Sequence, residues 1–308
     1  MAMITAALVK ELREKTSAGM MDCKKALMAT DGNIEDAADW LRKKGIAKAS
    51  KKSGRVASEG LIGLGQKGTT SALVEVNSET DFVALNEGFQ TMVREIAGLA
   101  VDANSNVETL AAMNMATGTN IATTITTLIS KIGENMNLRR TSALSVDKGV
   151  VAGYLHNGVA DGLGKIGVLV ALKSDGDTDK LNALGRKIAM HVAATSPLSL
   201  SVDDMDKAVV QKERDLLSDQ ARASGKPENI IDKMVDGRMQ KFFKESVLLN
   251  QMFVMNPDCT IAKVIEDEAK TLGTSVEMTA FVRMQLGEGI EKKVEDFAAE
   301  VAATLGDA

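Results

Sequence analysis

The 308 residues suffice for two domains or one elaborated domain, and 44% apolar side chains provide ample material for a core. A net charge of −5, from 37 basic and 42 acidic residues, weighs against a chain whose main task is to neutralise nucleic-acid phosphates. Two cysteines and two histidines, in neither CxxC nor HExxH spacing, weigh against a disulfide framework and a nitrogen–sulfur zinc site. No apolar run approaches the roughly 20 residues that span a bilayer, and the first residues carry no export pattern, so a reducing, cytoplasmic setting without membrane contact is expected. Aromatic residues make up 3% of the chain, too few for a base-stacking platform. The composition points to binding rather than catalysis, with no cofactor.

The first 45 residues read as three short helices. Ile4, Leu8 and Leu12 recur at every fourth position behind Thr5, a residue type that caps helix starts. After a break at Ser17-Ala18-Gly19 comes a helix from Met21 to Ala29, with Asp22 at its start and Asp31-Gly32 as its stop. Asn33 then caps a third helix. Glu35 and Asp36 stand in its first turn, Arg42, Lys43 and Lys44 in its last, and Gly45 just past its end, an order that complements the helix dipole. Its predicted buried face is Ile34, Ala37, Trp40 and Leu41, with Trp40 in the core. So small a unit is marginal alone and should lean on its neighbours. Residues 46–58 are basic and lack an apolar period, as in a solvated linker or a local phosphate-binding patch.

An α+β pattern then appears twice. In the first copy, a strand from Gly60 to Leu64, a turn at Gln66-Lys67-Gly68 and a strand from Ala72 to Asn77 precede a helix. That helix carries Phe89, Met92, Val93, Ile96, Ala97 and Ala100 on one face. In the second, a strand from Val150 to Leu155, a longer turn from Asn157 to Gly164 and a strand from Ile166 to Leu172 precede a helix marked by Leu181, Leu184, Ile188 and Val192. Between the copies, Ile121, Ile125, Leu128, Ile129 and Ile132 mark another helix, ending at Gly133. Repetition of strand, hairpin, strand and helix implies two related half-domains, each with a small antiparallel sheet covered by helices. After Pro197, charged helical stretches over 202–223 and from Ile230 to about Leu248 flank a turn at 224–229. They predict an antiparallel helical hairpin with Ile230, Met234, Phe242 and Val247 as apolar markers. A strand near Met278 to Leu286 and a last amphipathic helix (Val294, Phe297, Val301, Leu305) close the chain. The predicted organisation is a helical N-domain over 1–45, a basic linker over 46–58 and a first core subdomain over 59–140. A second core subdomain over 141–286 follows, with a hairpin inserted at about 197–248, and then a C-terminal module over 287–308.

Few motifs carry chemistry. Gly63, Gly65 and Gly68 spell GxGxxG, but a strand follows where a phosphate-binding helix would have to begin, so this is a hairpin turn. Gly158 to Lys165 misses the phosphate-loop spacing by one residue and lacks the closing Ser or Thr. The segment from Glu75 to Ala84 lies where a strand ends and a helix has not begun. There, Thr80 or Asp81 caps the next helix with Phe82 folded back as a staple, or Asp81 and Phe82 stand out as an acidic-aromatic wedge for a partner. Met20 and Met21 at a helix start fill the core or offer an adaptable contact surface. His191, on an apolar helix, reads as a satisfied, partly buried histidine, whereas His156, in a loop, is free for a contact.

Several stretches together resemble the bacterial elongation factor Ts family, guanine-nucleotide exchange factors of elongation factor Tu. They are Leu12 to Leu27, Glu75 to Ala84 with Thr80-Asp81-Phe82-Val83 inside it, Lys131 to Arg140, Ile188 to Ala194, Phe253 to Pro257 and Gly287 to Glu291, in family order. The resemblance spans essentially the whole chain and favours the wedge for Asp81 and Phe82. It implies an N-domain like ubiquitin-associated domains, a two-subdomain core, an inserted hairpin linked to dimerisation and a C-terminal module. It implies further that Thr80, Asp81, Phe82 and Val83 intrude near the partner's Mg²⁺ site, and that Arg13, Met20 and Met21 contact the partner's G domain. The loop around His156 is a candidate contact for its third domain. Two departures stand out: Leu85 replaces a commonly basic residue, and the 157–164 loop is longer than in some relatives. The expected function is GDP release from elongation factor Tu, without direct nucleic-acid contact. A passive adaptor and a hydrolase using Glu79, Asp81 and His156 are the competing readings, and spacing lends the hydrolase no support.

Overall fold

A computed structural model describes residues 4–16, 18–223 and 227–291. The predicted last helix (Val294, Phe297, Val301, Leu305), most of the 287–308 module and residues 224–226 of the hairpin turn lie outside them. Helices α1 (Ala6–Thr16), α2 (Met20–Ala29) and α3 (Ile34–Lys52) close around Leu12, Cys23, Ala26, Leu27 and Ala37. Asn33 caps α3 by accepting the N–H groups of Glu35 and Asp36. The helix does not stop at Gly45. Ile46, Ala47 and Ala49 cost little in a helix, so α3 continues through most of the expected linker. Gly45 is buried inside it, where an added Cβ would sit 3.6 Å from the side chain of Ser130. This contact, with Ala49 packed on the next core, is how the small domain leans on its neighbour. Trp40 lies at the core's edge, half-buried, with the Lys44 ammonium 4.7 Å from its ring centroid.

Next come β1 (Glu59–Lys67), β2 (Thr70–Ser78), α4 (Asp81–Ala84), α5 (Glu87–Ala100), α6 (Val107–Ala112), α7 (Ile121–Ile132) and β3 (Met136–Ser145). Lys67 pairs with Thr70 across a two-residue loop whose first residue, Gly68, has φ +58°, the hairpin geometry that suits right-twisted strands. The GxGxxG run is therefore strand and turn. All six residues predicted for the inner face of α5 are buried. At Gly65 a Cβ would lie 1.9 Å from the Ala97 carbonyl oxygen, so only glycine lets α5 settle on the strand. β3 was not anticipated. Its alternating pattern is diluted by Arg139, Arg140 and Ser142, and it pairs with β2 along its full length.

The second half holds β4 (Gly149–His156), β5 (Leu163–Gly164), β6 (Ile166–Lys173), α8 (Thr178–Thr195), α9 (Lys207–Ala223), α10 (Glu228–Ser246), β7 (Met252–Phe253), β8 (Asn256–Thr260), α11 (Ile261–Leu272) and β9 (Glu277–Gln285). The end of the long turn is itself a short strand: β5 leaves its own half and pairs with Ile62 and Gly63. The sheets are thus β3-β2-β1-β5 and β4-β6-β9, with β7-β8 as a small separate ribbon. Ile62 and Leu73 of one large sheet meet Val151, Leu169, Ala171 and Met284 of the other, so the layers run helix, sheet, sheet, helix. Gly167 makes the approach possible, since a Cβ there would come within 2.7 Å of Ile62 and Leu73. The structure is α+β. In the hairpin, Ile231, Val235 and Met239 face Leu217 and Ala221, while Ile230 is exposed and Met234 half-buried. Over its first two turns the packed stripe is displaced by one residue from the predicted one, because apolar residues stand at both 230 and 231 and only contact with α9 selects between them, whereas the predicted Phe242 packs on the stripe and Val247 is buried.

Candidate functional site

Four residues between two anchored elements form the sharpest surface feature. β2 is buried up to Ser78, whose hydroxyl donates to the Thr80 carbonyl at 2.9 Å. Thr80 stands in the cap position of α4 but makes no side-chain capping bond. Its N–H and hydroxyl instead donate to the two oxygens of Glu134, at 3.0 and 2.8 Å. Asn86 restarts the chain by accepting from the Phe89 N–H and so caps α5. Within this corner Val83 and Ala84 are buried under α5, whereas Asp81 is exposed and Phe82 is 78% exposed. Phe82 does not fold back as a staple. Leu85, 66% exposed, extends the apolar tip.

The loop after α7 answers this corner. Gly133 ends the helix in the left-handed conformation (φ +91°), releasing Glu134 and Asn135 towards β2. The Asn135 N–H donates to Glu79 at 2.5 Å, and Arg55 reaches the other Glu79 oxygen at 3.3 Å. The Asn135 amide donates back to the Arg55 carbonyl at 2.8 Å. Sequence reading missed this set because its bonded members lie 24 to 80 positions apart; Gly133 as a helix stop was the only local signal.

Arg13 and Met20 line a cleft of about 580 Å³ together with Lys10, Asp22, Ser130 and Lys131. Arg13 is exposed, as are Met20 (60%) and Met21 (65%), so neither methionine fills the core. Asp22 joins Lys44 at 3.0 Å and Lys48 at 3.2 Å, which fixes this end of α2 on α3. Those two ammonium groups, Lys44 first, hold its carboxyl below the usual range against the opposing effect of burial.

The remaining candidates stand apart. His156 is the exposed last residue of β4 rather than a loop residue, and its Nδ1 faces the Tyr154 hydroxyl at 3.0 Å. His191 is fully buried. Its Nδ1 accepts from the Val254 N–H at 3.2 Å, so Nε2 carries the proton and donates to Gln251 at 2.8 Å. Burial lowers its pKa despite the Gln251 bond. His191 thereby steadies the β7–β8 ribbon, whose Met252, Val254 and Met255 are exposed. This second apolar patch escaped the sequence reading, although the run from Met252 to Met255 before Asn-Pro fits no amphipathic period. Among the described residues no cluster of His, Cys, Asp and Glu could hold a metal ion, and no helix is long and apolar enough to cross a membrane.

The model of the family described as elongation factor TS matches residues 79–288. The elongation factor Ts of Rhizobium etli (strain CIAT 652) is 60% identical over 306 residues, 99% of each chain. The chain belongs to the elongation factor Ts family. The proteins of that name from Allorhizobium ampelinum and Rhizobium meliloti are 58% and 57% identical, over 98% and 97% of this chain and 99% and 98% of theirs. Membership makes it a translation elongation factor. The match to the elongation factor Ts family opens at Glu79 and closes at Glu288, so it takes in the exposed corner and its partners on the loop after α7.

Proposed function

We propose that the chain is a guanine-nucleotide exchange factor for elongation factor Tu, binding its GDP-bound and nucleotide-free forms without covalent chemistry of its own. The observation that carries this reading is the exposure of Phe82 and Asp81 directly beside the buried Val83. An aromatic ring held in water by a stiff support is ready to enter a groove of another protein, and full burial of a Phe contributes roughly 1.5–3 kcal/mol. A GTPase grips its nucleotide largely through loop N–H groups around phosphate and through Mg²⁺. In this reading Phe82 displaces the segment that positions the ion, and Asp81 brings negative charge beside it. The exposed Arg13, Met20 and Met21 grip the same G domain, and His156 touches the third domain. The helical hairpin serves self-association, and the setting is the cytoplasm.

Linkage fixes the cycle. If the chain weakens GDP by some ratio, GDP weakens the chain by the same ratio, at about 1.4 kcal/mol per tenfold. The complex is therefore transient while nucleotide is plentiful, and GTP entry expels the chain. Stopped-flow release of fluorescent GDP from elongation factor Tu tests the proposal. The wild-type chain accelerates release, and Phe82→Ala and Asp81→Ala both slow it. Release at the wild-type rate by both variants would refute the wedge, and binding without acceleration would make the chain an adaptor.

A further inference from the structure

We propose that Glu79, Glu134 and Arg55 form a clamp that sets the position of the Asp81–Phe82 corner, and that Thr80 belongs to this clamp rather than to the contact surface. The proposal rests on the exchange reading above. The bonding is reciprocal: Glu134 holds the N–H and hydroxyl of Thr80, while Glu79, the residue before it, holds the N–H of Asn135, the residue after Glu134. A carboxylate on each segment accepts the other's backbone, so the two chains move together or both lose partners. The Thr80 side chain is spent inward on Glu134, and Val83 is enclosed in the core. Of the four residues, only Asp81 and Phe82 present themselves outward. A one-turn helix without a side-chain cap has little stiffness of its own, so the corner is fixed by the core below it and the clamp beside it.

Arg55 makes the clamp more than a local brace. Its guanidinium holds Glu79 and its carbonyl holds the Asn135 amide, so the chain leaving α3 is stitched to the same loop. One turn back on α7, Ser130 lies against Gly45 and Lys131 lines the cleft of Arg13 and Met20. The end of α7 therefore gives the N-domain contact residues and the Asp81–Phe82 corner a common frame. A displaced corner still carries its ring, so the chain still docks but fails to reach the groove fully. Loss of the clamp falls on the rate within the complex more than on its formation.

The test uses the full chain with elongation factor Tu carrying fluorescent GDP. It records the maximal release rate at saturating chain and the chain concentration giving half of it. Glu134→Ala lowers the maximal rate about tenfold, as expected for loss of charge-assisted bonds, and shifts the half-saturating concentration less than about threefold. Thr80→Val acts in the same direction, Thr80→Ser recovers most of the loss, and the double variant Thr80→Val/Glu134→Ala is within about twofold of Glu134→Ala because the two share one interaction. A wild-type maximal rate for Glu134→Ala, or independent effects that multiply in the double variant, overturns the clamp. Should Glu134→Ala lose its cooperative melt, the comparison of Thr80→Val with Thr80→Ser decides, and equal rates overturn it. Phe82→Ala in the same series separates the two levels. If it releases at the wild-type rate the exchange reading itself fails, whereas a slow Phe82→Ala beside a fast Glu134→Ala removes only the clamp.

Discussion

Replacing Glu75 by Gln tests how the two halves are joined. Glu75 has no exposed surface. Its carboxylate accepts from Arg139 at 3.0 Å, Arg140 at 2.5 Å, the Asn77 amide at 3.0 Å and the Gly287 N–H at 2.8 Å. It therefore ties β2 and β3 to the turn that follows β9. Burial pushes its pKa up, but the Gly287, Asn77, Arg140 and Arg139 bonds together outweigh that and leave it below the ordinary value of 4.5. Removing one partner of a fully buried pair costs about 3–5 kcal/mol. Here the arginine side chains keep 26% and 32% exposure and recover some hydration, so the expected loss is about 2–4 kcal/mol. That corresponds to a melting point lower by roughly 4–16 °C. Because the folded pKa lies below the unfolded one, the contribution is complete above about pH 4.5 and is lost as pH falls through the folded value. Thermal melts of wild type and Glu75→Gln should therefore differ most at neutral pH and converge below pH 4.5. A variant within about 1 kcal/mol of wild type at pH 7, or a gap unchanged at low pH, refutes the reasoning.

Phe82→Ala leaves the melting point within a degree or two, because the ring is 78% exposed in the free chain, yet weakens the complex. Scaling roughly 1.5–3 kcal/mol by that fraction gives about 7- to 50-fold in affinity for nucleotide-free elongation factor Tu, measurable by calorimetry. Burial also lowers the His191 pKa, so its stabilisation is complete above about pH 6.5 and declines as pH drops below it towards the folded value. Melts between pH 6.5 and 5 should show this slope in wild type and lose it in His191→Phe. In the hairpin, Ile231→Ala costs about 2–4 kcal/mol by denaturant titration and Ile230→Ala less than about 0.5, and equal costs would place the wrong stripe against α9. Gly167→Val drives a side chain into Ile62 and Leu73, so a variant as stable as wild type would show that the sheets need not approach so closely.

Periodicity made the amphipathic elements legible. The α5 face from Phe89 to Ala100, the stop of α7 at Gly133 and the β1–β2 hairpin follow from spacing and turn chemistry that act over a few residues. The Asp81–Phe82 corner was visible as a place where strand and helix periods both fail, but the residues alone did not say whether Phe82 folds inward. Where two apolar stripes coexist, as at 230 and 231, or where arginines interrupt a strand, as in β3, local pattern gives no decision.

By itself, the sequence determined the amphipathic helices such as α5 and α7, the β1–β2 and β4–β6 strands, and the place after Ser78 where strand and helix periods fail, because these depend on interactions between near neighbours. Only the tertiary structure decided that α3 runs through the linker onto α7, that β5 crosses to the other sheet, and that Glu79, Glu134 and Arg55 converge beside the corner. Those outcomes turn on contacts between residues far apart in the chain, and no local periodicity encodes such a contact.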